Sequence, residues 1–129
     1  MGEIAAIVLN DYPGKHYATW VKEGKKIIET RGKSFTYTGD IVICCGAKSV
    51  TQNAGRALCI VHLGKARPMK DEDAEGACIE NAPGRIAYDL TNLRHFSCDF
   101  TFTKYAVKKN YQGIFSVRIP DSVTIIPAL

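Results

Sequence analysis

Lys15-His16-Tyr17-Ala18-Thr19-Trp20-Val21-Lys22-Glu23-Gly24-Lys25-Lys26-Ile27-Ile28-Glu29-Thr30-Arg31 is the stretch in which the chain changes period. Tyr17, Trp20 and Val21 fall at i, i+3 and i+4, the spacing of one helix face, so an amphipathic helix is expected from about Lys15 to Glu23. Gly24 supplies the stop. Beyond it Ile27–Arg31 alternates as a strand does. The spacing places Trp20 and Tyr17 against the core.

Strand patterns dominate on both sides of this stretch. Ile4–Leu9 reads as a strand, Asn10–Gly14 as a loop and Tyr37–Asp40 as a turn feeding the β-branched run Ile41–Cys45, which suits a strand buried on both faces. After the turn Asn53-Ala54-Gly55, Arg56–Leu63 is the next strand, apolar on both faces. Arg85–Leu90, Asp99–Lys104 and Gly113–Ile119 complete the set, with Phe100 and Phe102 in the core. Lys70–Glu80, bounded by Pro68 and Pro83-Gly84, reads as a second helix or a loop. About six strands with one or two short helices make an α+β domain whose sheet curls toward a barrel.

The 129 residues suit a single domain spanning 1–129, and a hydrophobic fraction of 46% supports a real core. No apolar run reaches the roughly 18 to 20 residues of a membrane helix, and the N-terminus lacks signal-peptide features, so no membrane partner is expected. Five cysteines, Cys44, Cys45, Cys59, Cys78 and Cys98, include no CxxC pair. Most lie in apolar runs, as reduced, buried thiols of a cytoplasmic protein do. Cys59 and His62 point to opposite faces of a strand, so no metal is expected. The sequence contains no P-loop, GxGxxG, GxSxG or HExxH, and no cofactor is expected either.

Seventeen basic residues face thirteen acidic ones, and the acidic ones gather in Lys70–Glu80, which holds Asp71, Glu72, Asp73, Glu75 and Glu80. The rest of the chain is correspondingly basic, which is compatible with an anionic partner such as RNA or with plain solubility. The acidic segment is a candidate surface for a protein partner. Glu29 and Arg31, two apart, share a strand face and can orient each other while leaving donors for a ligand. Lys26 and Glu29 cooperate only if Lys26 belongs to the turn after Gly24, because three apart in an unbroken strand they face opposite sides.

Gly24-x-Lys26-x-x-Glu29-x-Arg31, with Tyr17-Ala18-Thr19-Trp20-Val21 before it and Gly39-Asp40-Ile41-Val42-Ile43 after it, resembles the signature of ASCH domains, small barrels of the PUA-like superfamily. Gly84–Arg94 resembles the family's aromatic-containing strand and following loop, and Val107–Phe115 its closing turn and strand. The resemblance spans Ile4 to Arg118 and implies a PUA-like β-barrel with a cleft into which the Lys, Glu and Arg of the motif project. It implies binding of RNA, of a nucleotide or of a nucleoside-like small molecule, with Tyr17, Lys26, Glu29, Arg31 and Lys33 as ligand-binding residues. It also admits a small hydrolase, acting on an acylated nucleoside or on RNA, with Lys26 and Glu29 as catalytic residues.

In the family's amidohydrolase branch a Lys matching Lys26 works with a Thr and with a Glu from a later strand. Here Glu29 stands where the Thr would be, and Asp89 and Thr91 are the nearest candidates for the third group. Arg94, Lys104, Lys108 and Lys109 are RNA-contact candidates, and Tyr12, Tyr37, Tyr105 and Tyr111 could stack on unpaired bases. The alternative reading of the motif is a Glu29–Arg31 pair that only organises the barrel.

Overall fold

A computed structural model describes residues 2–128. Along the chain run β1 (Glu3–Leu9), β2 (Asp11–Tyr12), β3 (Lys15–His16), α1 (Tyr17–Lys22), β4 (Ile28–Arg31), β5 (Gly39–Cys45), β6 (Arg56–Leu63), β7 (Arg67–Pro68), α2 (Asp73–Ala77), β8 (Ile86–Thr101), α3 (Phe102–Tyr105), β9 (Phe115–Arg118) and β10 (Ile125–Ile126). It is a mixed α/β fold built on its sheet. No helix among the described residues is long and apolar enough to cross a membrane.

The main sheet runs β10-β8-β6-β5-β1-β9, and the short strands β4 and β7 pair with the first part of β8. β1 and β5 are parallel; the other pairs are antiparallel. Residues from β1, β5, β6, β8 and α1 share one apolar cluster that includes Ile7, Ile41, Leu58, Tyr88, Ala18 and Val21. A sheet whose non-adjacent strands meet over one core is strongly curled. It does not close: among the described residues no ladder joins β4 to β1, so the expected barrel is open along that seam.

The opposite face of the central strands carries a second cluster, with Val42, Ile60, Phe100, Phe102, Phe115 and Val117. Two clusters on two faces explain why Ile41–Cys45 is buried throughout. They also revise the later part of the chain. Arg85–Leu90 and Asp99–Lys104 are not separate strands: β8 runs unbroken from Ile86 to Thr101, taking up a left-handed residue at Asn92 (φ 52) and two register shifts against β6. The expected alternation ends at Thr101, where the chain turns into α3 and packs the Phe102 ring against Tyr111 and Phe115.

Helix α1 buries Ala18 and the expected Val21; Tyr17, half-buried, packs against the edge of the same cluster, while Trp20, also half-buried, lies outside it. Gly24, at φ +78, ends the helix as expected. Its first turn is held by Asp11, which is 1% exposed and accepts from the Thr19 amide at 3.1 Å, the Thr51 hydroxyl at 2.6 Å and the Thr19 hydroxyl. Burial alone would raise the Asp11 pKa; the Thr19 and Thr51 hydroxyls and the Thr19 and Ala18 amides outweigh it and hold it below the ordinary value.

The acidic segment forms α2 and belongs to the fold. Asp73 points inward and pairs bidentately with Arg67 at 2.7 and 3.0 Å, while Arg67 also reaches Asp89 on β8 at 2.9 Å. The Arg67 and Lys70 contacts bring the Asp73 pKa down to about 2. Gly76 lies so close to β4 that a Cβ there would stand 3.1 Å from side-chain atoms of Ile27 and Ile28. Cys44, Cys45 and Cys59 are buried, as expected of most of the set, and burial pushes the Cys59 thiol up to about 12; Cys78 is half-buried and Cys98 is exposed.

Asp11 and Asp73 release their protons more readily in the folded than in the unfolded chain, as does Asp40 through its contact with Arg94. Unfolded carboxyls titrate near about 3.9, so the stability these groups lend is complete above that pH and is lost as pH falls through the folded values. The urea midpoint should therefore drop steadily between about pH 4 and pH 2. Asp11→Asn should cost about 1 to 3 kcal/mol at neutral pH and flatten the acid slope. A midpoint indifferent to pH over this range would contradict the assignment.

Candidate functional site

The seam between β4 and β1 opens into a cleft of about 430 Å³. Val8, Leu9 and Asn10 form one wall, Glu29, Thr30 and Arg31 the facing one, and Tyr12, Tyr17, Lys26, Ile79, Glu80, Ala82 and Arg85 complete it. The motif and the cleft therefore coincide. β4 begins at Ile28, so Lys26 lies in the turn after Gly24, where it can meet Glu29.

Lys26 is 3% exposed. Its Nζ donates to the Ala77 carbonyl at 2.6 Å and the Ile28 carbonyl at 2.8 Å, and lies 3.4 Å from Glu29 Oε1. Two of the ammonium's three protons go to the carbonyls, and Glu29 completes the surround as an ion pair. Burial lowers the Lys26 pKa, and the neighbouring Glu29 only partly offsets it. The ammonium also lies 5.4 Å from the centre of the Tyr17 ring.

The second oxygen of Glu29 accepts from Arg31 Nε at 2.8 Å, so the carboxylate sits between Lys26 and Arg31. Arg31 then spans the seam: its Nη2 donates to the Val8 carbonyl at 3.2 Å, and its guanidinium lies 5.5 Å from the Phe35 ring centre. On the far side of β4, Arg85 donates through Nε to the Thr30 hydroxyl at 3.0 Å and through Nη2 to the Thr30 carbonyl at 2.8 Å. Tyr12 and Tyr17 meet edge to face at 6.1 Å, with Tyr12 half exposed.

Tyr17, Lys26, Glu29 and Arg31 are thus together in one cleft. Lys33 is exposed and does not line it, because the chain leaves β4 after Arg31. Arg94 is engaged elsewhere, gripping Asp40 at 2.8 and 3.0 Å. Lys104 lines a separate hollow of about 300 Å³ with Arg118, and Lys108 and Lys109 are exposed in the following loop. Tyr111 packs on Phe102 and Phe115, and the Tyr37 hydroxyl donates to the Asp40 carbonyl at 2.6 Å, so both rings serve the fold. Neither Asp89 nor Thr91 lines the cleft; Asp89 pairs with Arg67, and the cleft's second carboxylate is Glu80.

Arg85, Thr30 and Glu80 escaped the sequence reading. Arg85 lies 55 positions from Thr30 and is brought to it by the β4–β8 register, for which no local pattern gives a sign. The chain matches no protein-family model and no curated protein.

Replacing Lys26 by Met should remove the donor from two carbonyls and from Glu29 at once, costing about 3 kcal/mol of unfolding free energy. Urea denaturation measures it. An unchanged midpoint would show that the ammonium is not the tie described here.

Proposed function

We propose that the chain is an ASCH-type domain of PUA-like architecture, its barrel opened along one seam, whose cleft binds a nucleoside-sized ligand. That ligand is either free or an unpaired residue of an RNA. The observation that carries the reading is that the side chains of the Gly24-to-Arg31 motif converge with two tyrosines in one cleft of about 430 Å³. Small-molecule pockets span roughly 300 to 1,000 Å³, and this one lies in the lower part of that range. The exposed Tyr12 ring and the half-buried Tyr17 ring offer faces for a base, and sequence-tolerant stacking is worth about 1 to 3 kcal/mol per base.

Binding is favoured over hydrolysis by the occupancy of Lys26. The Ile28 and Ala77 carbonyls and the ion pair with Glu29 already engage its ammonium from within the protein, which favours a structural tie over a group that polarises a scissile carbonyl. Arg31 keeps Nη1 for an acceptor of the ligand, its other nitrogens being engaged by Glu29 and Val8. Lys104, Lys108 and Lys109 lie off the cleft and would serve only an RNA that extends beyond it. The buried unpaired cysteines fit a reducing, cytoplasmic setting.

Trp20, 5.9 Å from Tyr17, supplies a fluorescence readout. Titration with ribonucleosides and a short single-stranded RNA should saturate, and Tyr17→Ala and Arg31→Ala should each weaken binding by about tenfold or more. Parallel assays on acylated nucleosides and on RNA should show no turnover. Turnover that disappears in Glu29→Gln would replace this reading by a hydrolase.

A further inference from the structure

The strand edges facing the cleft differ from ordinary free edges: their outward carbonyls are already taken. In the β4–β8 ladder the Leu90 amide donates to the Ile27 carbonyl, so residues 27, 29 and 31 face β8 while Ile28 and Thr30 face outward. The Ile28 carbonyl accepts from Lys26, and the Thr30 carbonyl from Arg85. Across the seam the Leu9 carbonyl faces β5, where it accepts from the Gly46 amide, so Val8 faces the cleft. Its carbonyl accepts from Arg31.

What remains on these edges is donors. The Thr30 amide points outward with its carbonyl, beyond reach of the β8 ladder. Arg31 and Arg85 each keep Nη1 without a partner among the described residues. Three cations line the cleft against two carboxylates, and one of those, Glu29, is enclosed by Lys26 and Arg31. Such a lining calls for a ligand rich in acceptors and carrying negative charge.

Resting on the binding reading above, we propose that Arg31, Thr30 and Arg85 form a phosphoryl subsite, so that the ligand is a nucleoside carrying a phosphate. The Nη1 groups left on Arg31 and Arg85 can each donate charge-assisted hydrogen bonds to phosphate oxygens. The Thr30 amide adds a fixed donor with no side chain to order. Arg85 is already oriented by its two contacts with Thr30, which lowers the entropy lost on binding. The phosphate can be the terminal group of a free nucleotide or a diester of RNA; both present anionic oxygens beside a nucleoside.

The test compares wild-type affinity for a panel of ribonucleosides, the matching 5′-monophosphates, a dinucleoside monophosphate and inorganic phosphate. A phosphorylated ligand should bind at least about tenfold tighter than its nucleoside, with the advantage shrinking as salt is raised. Whichever of the two phosphorylated forms binds tighter identifies the source. Arg85→Ala should bring the ratio near one and Arg85→Lys should retain part of it, and the wild-type salt series reads the same quantity should Arg85→Ala not fold. A wild-type ratio within about twofold overturns the subsite and leaves the cleft reading standing. Binding of inorganic phosphate alone supports the subsite and overturns the nucleoside reading, and no binding of any ligand overturns both.

Discussion

One buried ammonium joins the pieces on which the site depends. Lys26 reaches the end of α2 at Ala77, the first residue of β4 at Ile28 and the carboxylate of Glu29. Without that charge Glu29 would be a half-compensated buried anion, since Arg31 alone would hold it, and two carbonyls would lose their donor. Taking an ammonium out of water costs several kcal/mol, so the arrangement stands only because two carbonyls and a carboxylate compensate it. The lowered pKa of Lys26 registers the part of that cost left uncompensated.

From Lys26 the consequences pass outward through backbone. Its tie to Ala77 sets α2 beside β4, where a Cβ at Gly76 would press on the Ile27 and Ile28 side chains, and Arg67 fixes the other end of the segment through Asp73 and Asp89. The chain leaving α2 then supplies Ile79 and Glu80 to the cleft wall. On the opposite side the β1–β9 ladder ends at Ala6, so the last part of β1 has an open edge. Arg31 crosses to that edge without closing it, and a curled sheet that would otherwise finish as a barrel keeps a cleft.

The sequence carried the elements better than their assembly. Helix α1, the buried run Ile41–Cys45 and the pairing of Glu29 with Arg31 were legible because each follows from spacing within a few residues, whereas Lys26 joined them only through the resemblance or by belonging to the turn. The length of β8 was not, since Thr91–Arg94 looks like a loop and is kept in the sheet only by β6, which tolerates Asn92 through register shifts. The turn of α3 was hidden for a similar reason: Phe102 alternates correctly for a strand, yet its ring is drawn off by Tyr111 and Phe115. Tyr17 and Trp20 have the spacing of a core face, but the small Ala18 and Val21 let the helix lie closer and take that place. Arg85 and Glu80 could not be read at all, because long-range register brings them to the cleft.

The central claim is that ligand enters the seam between β4 and β1, against the donors left on those edges. Backbone-amide NMR during titration with a ribonucleoside 5′-monophosphate tests it most directly. The account predicts that the largest shifts fall on Val8, Thr30, Arg31 and Arg85. Shifts centred on Lys104–Lys109 or around Arg94, with Thr30 and Arg31 unmoved, would contradict it.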